Sequence, residues 1–191
     1  MFDCLVDYWE TYGYSPGIQD LIDGIETTGR RKVQMLLASL KQKQYIDWTP
    51  NQHRSYRILV RGVPVLGMIQ AGLVIEHPTE QGEWINVPGV SYRSHQYALR
   101  VCGDSMKDEQ ICDGDLVLLS CKFDWWTLPK AAIAAVRVEG KGATLKSIVF
   151  DGEWVFLRPA NPAYPVLKLK PNEIQIQGVL IRVIRDYQVF E

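Results

Sequence analysis

The chain has 191 residues, 47% hydrophobic and 23% charged, with a formal net charge of −1. This length holds one large domain or a small one joined to a medium one. The apolar runs are too short and interrupted for a membrane span of about 20 residues or a signal peptide, so a soluble, cytoplasmic protein without membrane partners is expected.

The cysteines Cys4, Cys102, Cys112 and Cys121 contain no Cys-x-x-Cys, and His53, His77 and His95 are scattered. No metal site and no cofactor is expected, and the thiols read as reduced and structural. The acids Asp108, Glu109, Asp113 and Asp115 lack the spacing of an EF-hand loop.

The near-zero net charge hides a division along the chain. Residues 1–26 carry six acids and no lysine or arginine, whereas 28–57 carry seven basic residues against Asp47 alone. A local basic face on a neutral protein is the electrostatic footprint of a small DNA-binding module.

Phe2, Leu5, Val6 and Trp9 follow helical spacing up to Gly13. Ser15-Pro16 reads as an N-cap with proline at the first position of a second helix, whose apolar residues are Ile18, Leu21, Ile22 and Ile25. Thr27-Thr28-Gly29 caps a third, carrying Val33, Leu36, Leu37 and Leu40. Residues 45–48 and 55–59 read as two strands around Pro50-Asn51-Gln52, so residues 1–59 are expected to form a winged helix-turn-helix. Its third helix would enter the major groove, presenting Arg30, Arg31, Lys32, Gln34 and Met35 to base edges. Lys41, Lys43 and Arg54 sit better for phosphates.

Residues 60–63 read as a short linker. Beyond it, residues 64–191 show repeated short strands at 97–101, 116–119, 132–138, 144–150, 154–157 and 177–184, with a hairpin turn at Asp113-Gly114-Asp115. Trp125-Trp126 reads as loop or core packing. The expected fold class is α+β in two domains, the second mostly β.

Within the second part, Ala71-Gly72, Ser105 in Gly103-Asp104-Ser105-Met106 and Lys146 in Thr144-Leu145-Lys146 together supply a scissile bond, a nucleophile and a base. A lysine can take a serine proton only when burial leaves it neutral; unperturbed, about one in a thousand is neutral near pH 7.4. Taken alone, Lys146 among apolar neighbours is an ordinary strand lysine pointing outward. With Ser105 and Ala71-Gly72 it reads as the base of a self-cleaving serine endopeptidase.

These residues resemble the LexA repressors, whose C-terminal half is a Ser-Lys peptidase of the S24 type, akin to signal peptidases. The resemblance rests on Gly13-Tyr14-Ser15-Pro16, the helix at 33–40 and Tyr45-Ile46 in the N-terminal half. In the C-terminal half it rests on Val65-Leu66-Gly67 before Ala71-Gly72, Leu99-Arg100-Val101, Gly103-Asp104-Ser105-Met106, Asp113-Gly114-Asp115, Thr144-Leu145-Lys146, the 157–162 segment and Ile176-Gln177-Gly178.

The resemblance implies a repressor of the SOS response to DNA damage that hydrolyses its own Ala71-Gly72 bond, stimulated by a RecA filament. It makes Ser105 the nucleophile, Lys146 the general base, and the backbone N–H groups of Asp104 and Ser105 the oxyanion site. It also implies a homodimer through the C-terminal domain, using the strand at 176–186, on palindromic operator DNA. Ile25-Glu26 and Lys130-Ala131-Ala132 stand where the family often has glycine. The alternative is a LexA-like regulator whose targets or trigger lie outside DNA repair, in redox or metabolic state, with cleavage dormant or secondary.

Overall fold

A computed structural model describes residues 1–27, 29–59, 62–69, 83–87, 93–124 and 127–185. The chain divides into two compact units, Met1–Val63 with Asn86–Ser94, and Pro64–Ile85 with His95–Glu191.

The first unit opens with three helices: α1 (Phe2–Tyr12), α2 (Ile18–Gly24) and α3 (Arg30–Gln42). The apolar spacing turns Phe2, Leu5 and Val6 of α1, Leu21 of α2, and Val33 and Leu37 of α3 inward, where they are buried with Ile46. Each such side chain contributes about 1.5–3 kcal/mol on leaving water. Gly13 ends α1 in the left-handed conformation, its N–H donating to the Trp9 carbonyl.

α2 starts later than Ser15-Pro16 implies, because the cap works from the other side. The Asp20 carboxylate accepts the Gly17 N–H at 2.7 Å, placing a negative charge at the positive end of the helix. Ser15 is instead buried ahead of α2, its hydroxyl directed at the Pro16 carbonyl. Leu36, on the flank of the α3 stripe, remains exposed.

β1 (Ile46–Asp47) and β2 (Arg57–Ile58) pair antiparallel with Ile46 opposite Ile58. This hairpin is shorter than the alternating residues alone imply.

The second unit holds one nine-stranded sheet. Its strands are β3 (Val63–Ile69), β4 (Trp84–Ile85), β5 (Gln96–Val101), β6 (Leu116–Ser120), β7 (Ala132–Val138), β8 (Gly142–Asp151), β9 (Trp154–Arg158), β10 (Leu167–Leu169) and β11 (Ile174–Ile184), in the order β10-β9-β8-β7-β11-β6-β5-β3-β4. The short strands β4 and β10 carry too few alternating residues to be read from sequence. β3 and β5 run parallel, as the long crossover between them permits.

β11 is central: its first half pairs with β7 and its second with β6, with register shifts at Ile176/Gly178 and Leu180/Arg182. Gly178 lies at that crossing, where a Cβ would come within 2.8 Å of the Tyr97 hydroxyl and 3.2 Å of the Ser120 carbonyl. Asp186, the end of the strand assigned to dimerisation, and Trp125-Trp126 lie outside the described residues.

β8 carries six consecutive buried residues, Ala143 through Ile148, because both of its faces are covered. Leu145 joins a cluster with Leu99, Met106, Ile111, Val117 and Ala135. Ile148, from the opposite face, joins Ala134, Val136, Val155 and Leu157.

Candidate active site

Strand alternation places Thr144, Lys146 and Ile148 on one face of β8. Lys146 lies opposite Ala134 of β7, whose small side chain leaves room beside it. Its face is that of the apolar cluster around Val136 and Ile148, and Lys146 is only 6% exposed. Burial lowers its pKa from 10.5 to about 8, since a low-dielectric setting disfavours the charged ammonium. About a fifth of such lysines are neutral near pH 7.4, by the same proton arithmetic that leaves an ordinary lysine almost fully charged.

Ser105 sits in the loop between β5 and β6. Gly103 enters the turn at φ +92, a conformation L side chains rarely adopt, and donates its N–H to Asp113 Oδ1 at 2.6 Å. Met106 and Ile111 anchor the loop in the core. Lys146 and Ser105, 41 residues apart, thereby meet with Nζ 2.7 Å from Oγ.

The lysine nitrogen has two further neighbours, Thr144 Oγ1 at 2.9 Å and the Leu145 carbonyl at 2.8 Å. A neutral amine has two N–H groups and one lone pair. With the N–H groups directed to Thr144 and Leu145, the lone pair faces the Ser105 hydroxyl. This arrangement can draw the serine proton without a histidine.

The loop after β9 braces this turn. Ala160 N–H donates to the Ser105 carbonyl at 2.9 Å, and Asp108 N–H donates to the Ala160 carbonyl at 2.8 Å. Buried Asn161 donates from its amide to the Asp104 carbonyl and to Asp104 Oδ2, each at 3.0 Å, while its own Oδ1 accepts the Ala163 N–H. The Tyr164 hydroxyl completes the set on Asp104 Oδ1. The residues alone assign no site role to Thr144, Asn161 or Tyr164. An amide between Pro159 and Pro162 is the sequence signal for Asn161, but its partner is visible only in three dimensions.

A second tie holds the far side of the loop. Arg185 forks onto buried Asp115, with Nε to Oδ1 and Nη2 to Oδ2 at 2.6 Å, and also donates to the Gln110 carbonyl at 2.8 Å. This pairing, chiefly the Arg185 hydrogen bond, holds the Asp115 carboxyl below its ordinary value. Asp113 and Asp115 thus serve the turn. Among the described residues no group of three or more His, Cys, Asp or Glu side chains is arranged to hold a metal ion.

Beside Lys146 a cavity of ≈ 260 Å³ is lined by Val138, Thr144, Tyr164, Pro165 and Leu167, an apolar recess next to the amine. The Ala71-Gly72 bond lies outside the described residues.

In the first unit, Arg30, Arg31, Lys32, Gln34 and Met35 are exposed on the first turns of α3, and Lys43 is exposed at its end. Lys41 and Arg54 are engaged within the unit. Lys41 pairs with Asp47 at 2.8 Å and lies over the Trp48 ring. Arg54 reaches Asp20 at 3.3 Å and Tyr8 Oη at 3.3 Å, above the Tyr14 ring. No helix among the described residues is long and apolar enough to cross a membrane.

Residues 64–181 match the family described as Peptidase S24-like, which defines the second unit as a peptidase-type domain. The chain is 34% identical to the LexA repressor of Thermotoga neapolitana, over 95% of this chain and 88% of that one. It is 30% identical to the LexA repressor of Koribacter versatilis, over 98% and 95%, and 29% identical to the transcription regulator LexA of Synechocystis sp., over 98% and 94%. The chain belongs to the LexA family.

Proposed function

We propose that this protein is a DNA-binding transcriptional repressor of the SOS response that inactivates itself by hydrolysing its Ala71-Gly72 bond. The observation that carries the proposal is the 2.7 Å approach of a buried lysine to Ser105. Ser105 Oγ attacks the Ala71 carbonyl carbon as its proton passes to Lys146 Nζ. The oxyanion is held by the backbone N–H groups of Asp104 and Ser105. Lys146 then returns the proton to the Gly72 nitrogen as the C–N bond breaks, leaving an ester between Ser105 and Ala71. Water, deprotonated by Lys146, hydrolyses that ester and regenerates the hydroxyl.

The three helices and hairpin act in this reading as a winged helix-turn-helix over 1–59, joined at 60–63 to the peptidase and dimerisation domain at 64–191. The exposed side chains at the start of α3 read base edges, and Lys43 takes a phosphate. Lys41 and Arg54 reach phosphates only by loosening their ties to Asp47 and Asp20. A homodimer on a palindromic operator gains avidity that the cut removes. A RecA filament stimulates cutting by binding the cleavage-competent form more tightly than the resting one.

The test is mass spectrometry of the purified protein at alkaline pH, and at neutral pH with an activated RecA filament, beside Ser105→Ala. Fragments ending at Ala71 and starting at Gly72 in both conditions and absent from the control are expected. Absence of those fragments in both conditions would sink the self-cleavage reading.

A second reading, regulation triggered by redox state, is favoured by the placement of half-buried Cys102 and exposed Cys112 on either side of the Ser105 turn. It requires that thiol alkylation alter operator binding. Unchanged binding by alkylated protein removes it.

A further inference from the structure

We infer that Asn161 is a positioning residue for self-cleavage, an inference that rests on that reading of the chain. Its buried amide sets the direction of the Asp104–Ser105 peptide, so that the Ser105 N–H faces the oxyanion and the Asp104 carboxylate is turned away from it.

A trans peptide is planar, and its N–H points opposite to its carbonyl. Whatever holds the Asp104 carbonyl therefore aims the Ser105 N–H, one of the two groups assigned to the oxyanion. That carbonyl accepts two hydrogen bonds, from Asn161 Nδ2 at 3.0 Å and from the Lys107 N–H at 3.2 Å. The next carbonyl, that of Ser105, accepts the Ala160 N–H at 2.9 Å. Two successive peptides of the nucleophile turn are thus tied to two successive residues after β9.

The same nitrogen settles where the neighbouring charge goes. Asn161 Nδ2 lies 3.0 Å from Asp104 Oδ2 as well as 3.0 Å from the Asp104 carbonyl, so the carboxylate sits on the carbonyl side of the peptide, opposite the N–H. The Tyr164 hydroxyl holds the other oxygen, Oδ1, at 2.6 Å. A carboxylate swung to the N–H side would compete for that donor and oppose the negative charge that develops on the Ala71 carbonyl oxygen.

The position calls for an amide. Asn161 is only 3% exposed, and its Oδ1 accepts the Ala163 N–H at 3.0 Å while Nδ2 serves Asp104. One side chain must accept at one end and donate twice at the other, which an ionised aspartate cannot do. Pro159 and Pro162 restrict the backbone on either side.

The direction of the bond is read by NMR in the full chain carrying Lys146→Met, which keeps Ser105 and prevents cutting. In Asn161→Ala the N–H residual dipolar coupling of Ser105 should fall toward zero as the freed peptide samples many directions, while those of Val136 in β7 and Val155 in β9 stay unchanged. Asn161→Asp keeps the shape and the bond to Ala163 but gives Asp104 no donor; it should act alike, and it carries the test where the alanine variant folds poorly. Spontaneous cleavage is then followed from neutral to alkaline pH in chains that retain Lys146. Its plateau should fall at least tenfold in both variants, against about 10²–10³ for outright loss of an oxyanion donor. In Asn161→Ala the midpoint should stay at about 8, since Lys146 keeps its surroundings. An unchanged Ser105 coupling, an unchanged plateau, or loss of the sheet couplings in both variants overturns the proposal. So does a shifted midpoint in Asn161→Ala, which would trace the loss to Lys146. A parent chain that never cuts itself defeats the proposed function, while the coupling still decides whether Asn161 sets the peptide.

Discussion

The hydroxyl of Tyr164 donates to Asp104 Oδ1 at 2.6 Å, so a side chain 60 residues downstream holds the residue that precedes Ser105. The bond lowers the Asp104 carboxyl pKa and raises that of the Tyr164 phenol. Tyr164→Phe should leave the fold intact, let the Asp104 carboxyl return toward its ordinary value in an NMR titration, and slow self-cleavage severalfold by loosening the turn. A restored carboxyl pKa with an unchanged cleavage rate would limit Tyr164 to packing.

With Lys146 lowered to about 8, the spontaneous cleavage rate should rise from neutral pH and level off near pH 9. Only about a fifth of the amine is neutral at pH 7.4, so the gain to the plateau is about fivefold. Thr144→Val removes an acceptor of the ammonium form and should move the midpoint of this profile to lower pH. A flat profile between pH 7 and 9 would argue against lysine as the base.

Burying this amine costs stability. Its folded pKa, about 8, lies below the unfolded value near 10.5, so between those values the unfolded chain binds more protons and stability rises with pH. At pH 7 the penalty is on the order of 3 kcal/mol. Lys146→Met, similar in length and apolar, should therefore raise the thermal midpoint at pH 7, with the gap to wild type narrowing above pH 8. Calorimetry of both proteins in a Ser105→Ala background decides it.

Glu26 and Ala131 adopt φ +50 and φ +68, left-handed conformations that cost a residue with a Cβ about 1–2 kcal/mol. Glu26→Gly and Ala131→Gly should each stabilise the protein by about 0.5–1 kcal/mol after the extra unfolded-state entropy of glycine is counted. Urea unfolding measures both, and a loss of stability at either position would show that the side chain has contacts outweighing the strain.

These two positions show how sequence and structure divide the information. A missing glycine at a bend is legible from the residues alone, whereas the φ angle that makes it costly is not. Helix α1 followed from its apolar spacing and the glycine that ends it. The start of α2 did not, because Asp20 caps it from inside the helix and Ser15-Pro16 is drawn into the core. Strand β7 agrees with the short apolar strand read at 132–138, while β4 and β10 exist only because a neighbouring strand supplies their hydrogen bonds.

The sequence by itself determined the order of elements, three helices ahead of a mostly β part, together with the residue types that a serine–lysine pair requires. Both follow from local periodicity and side-chain chemistry, which need no distant partner. Only the tertiary structure decided that Lys146 lies buried against Ser105 and that Asn161 and Tyr164 grip the turn. Each of these is a contact between residues far apart in the chain, created by sheet register and packing, and only such packing removes the water that would keep an ordinary lysine charged.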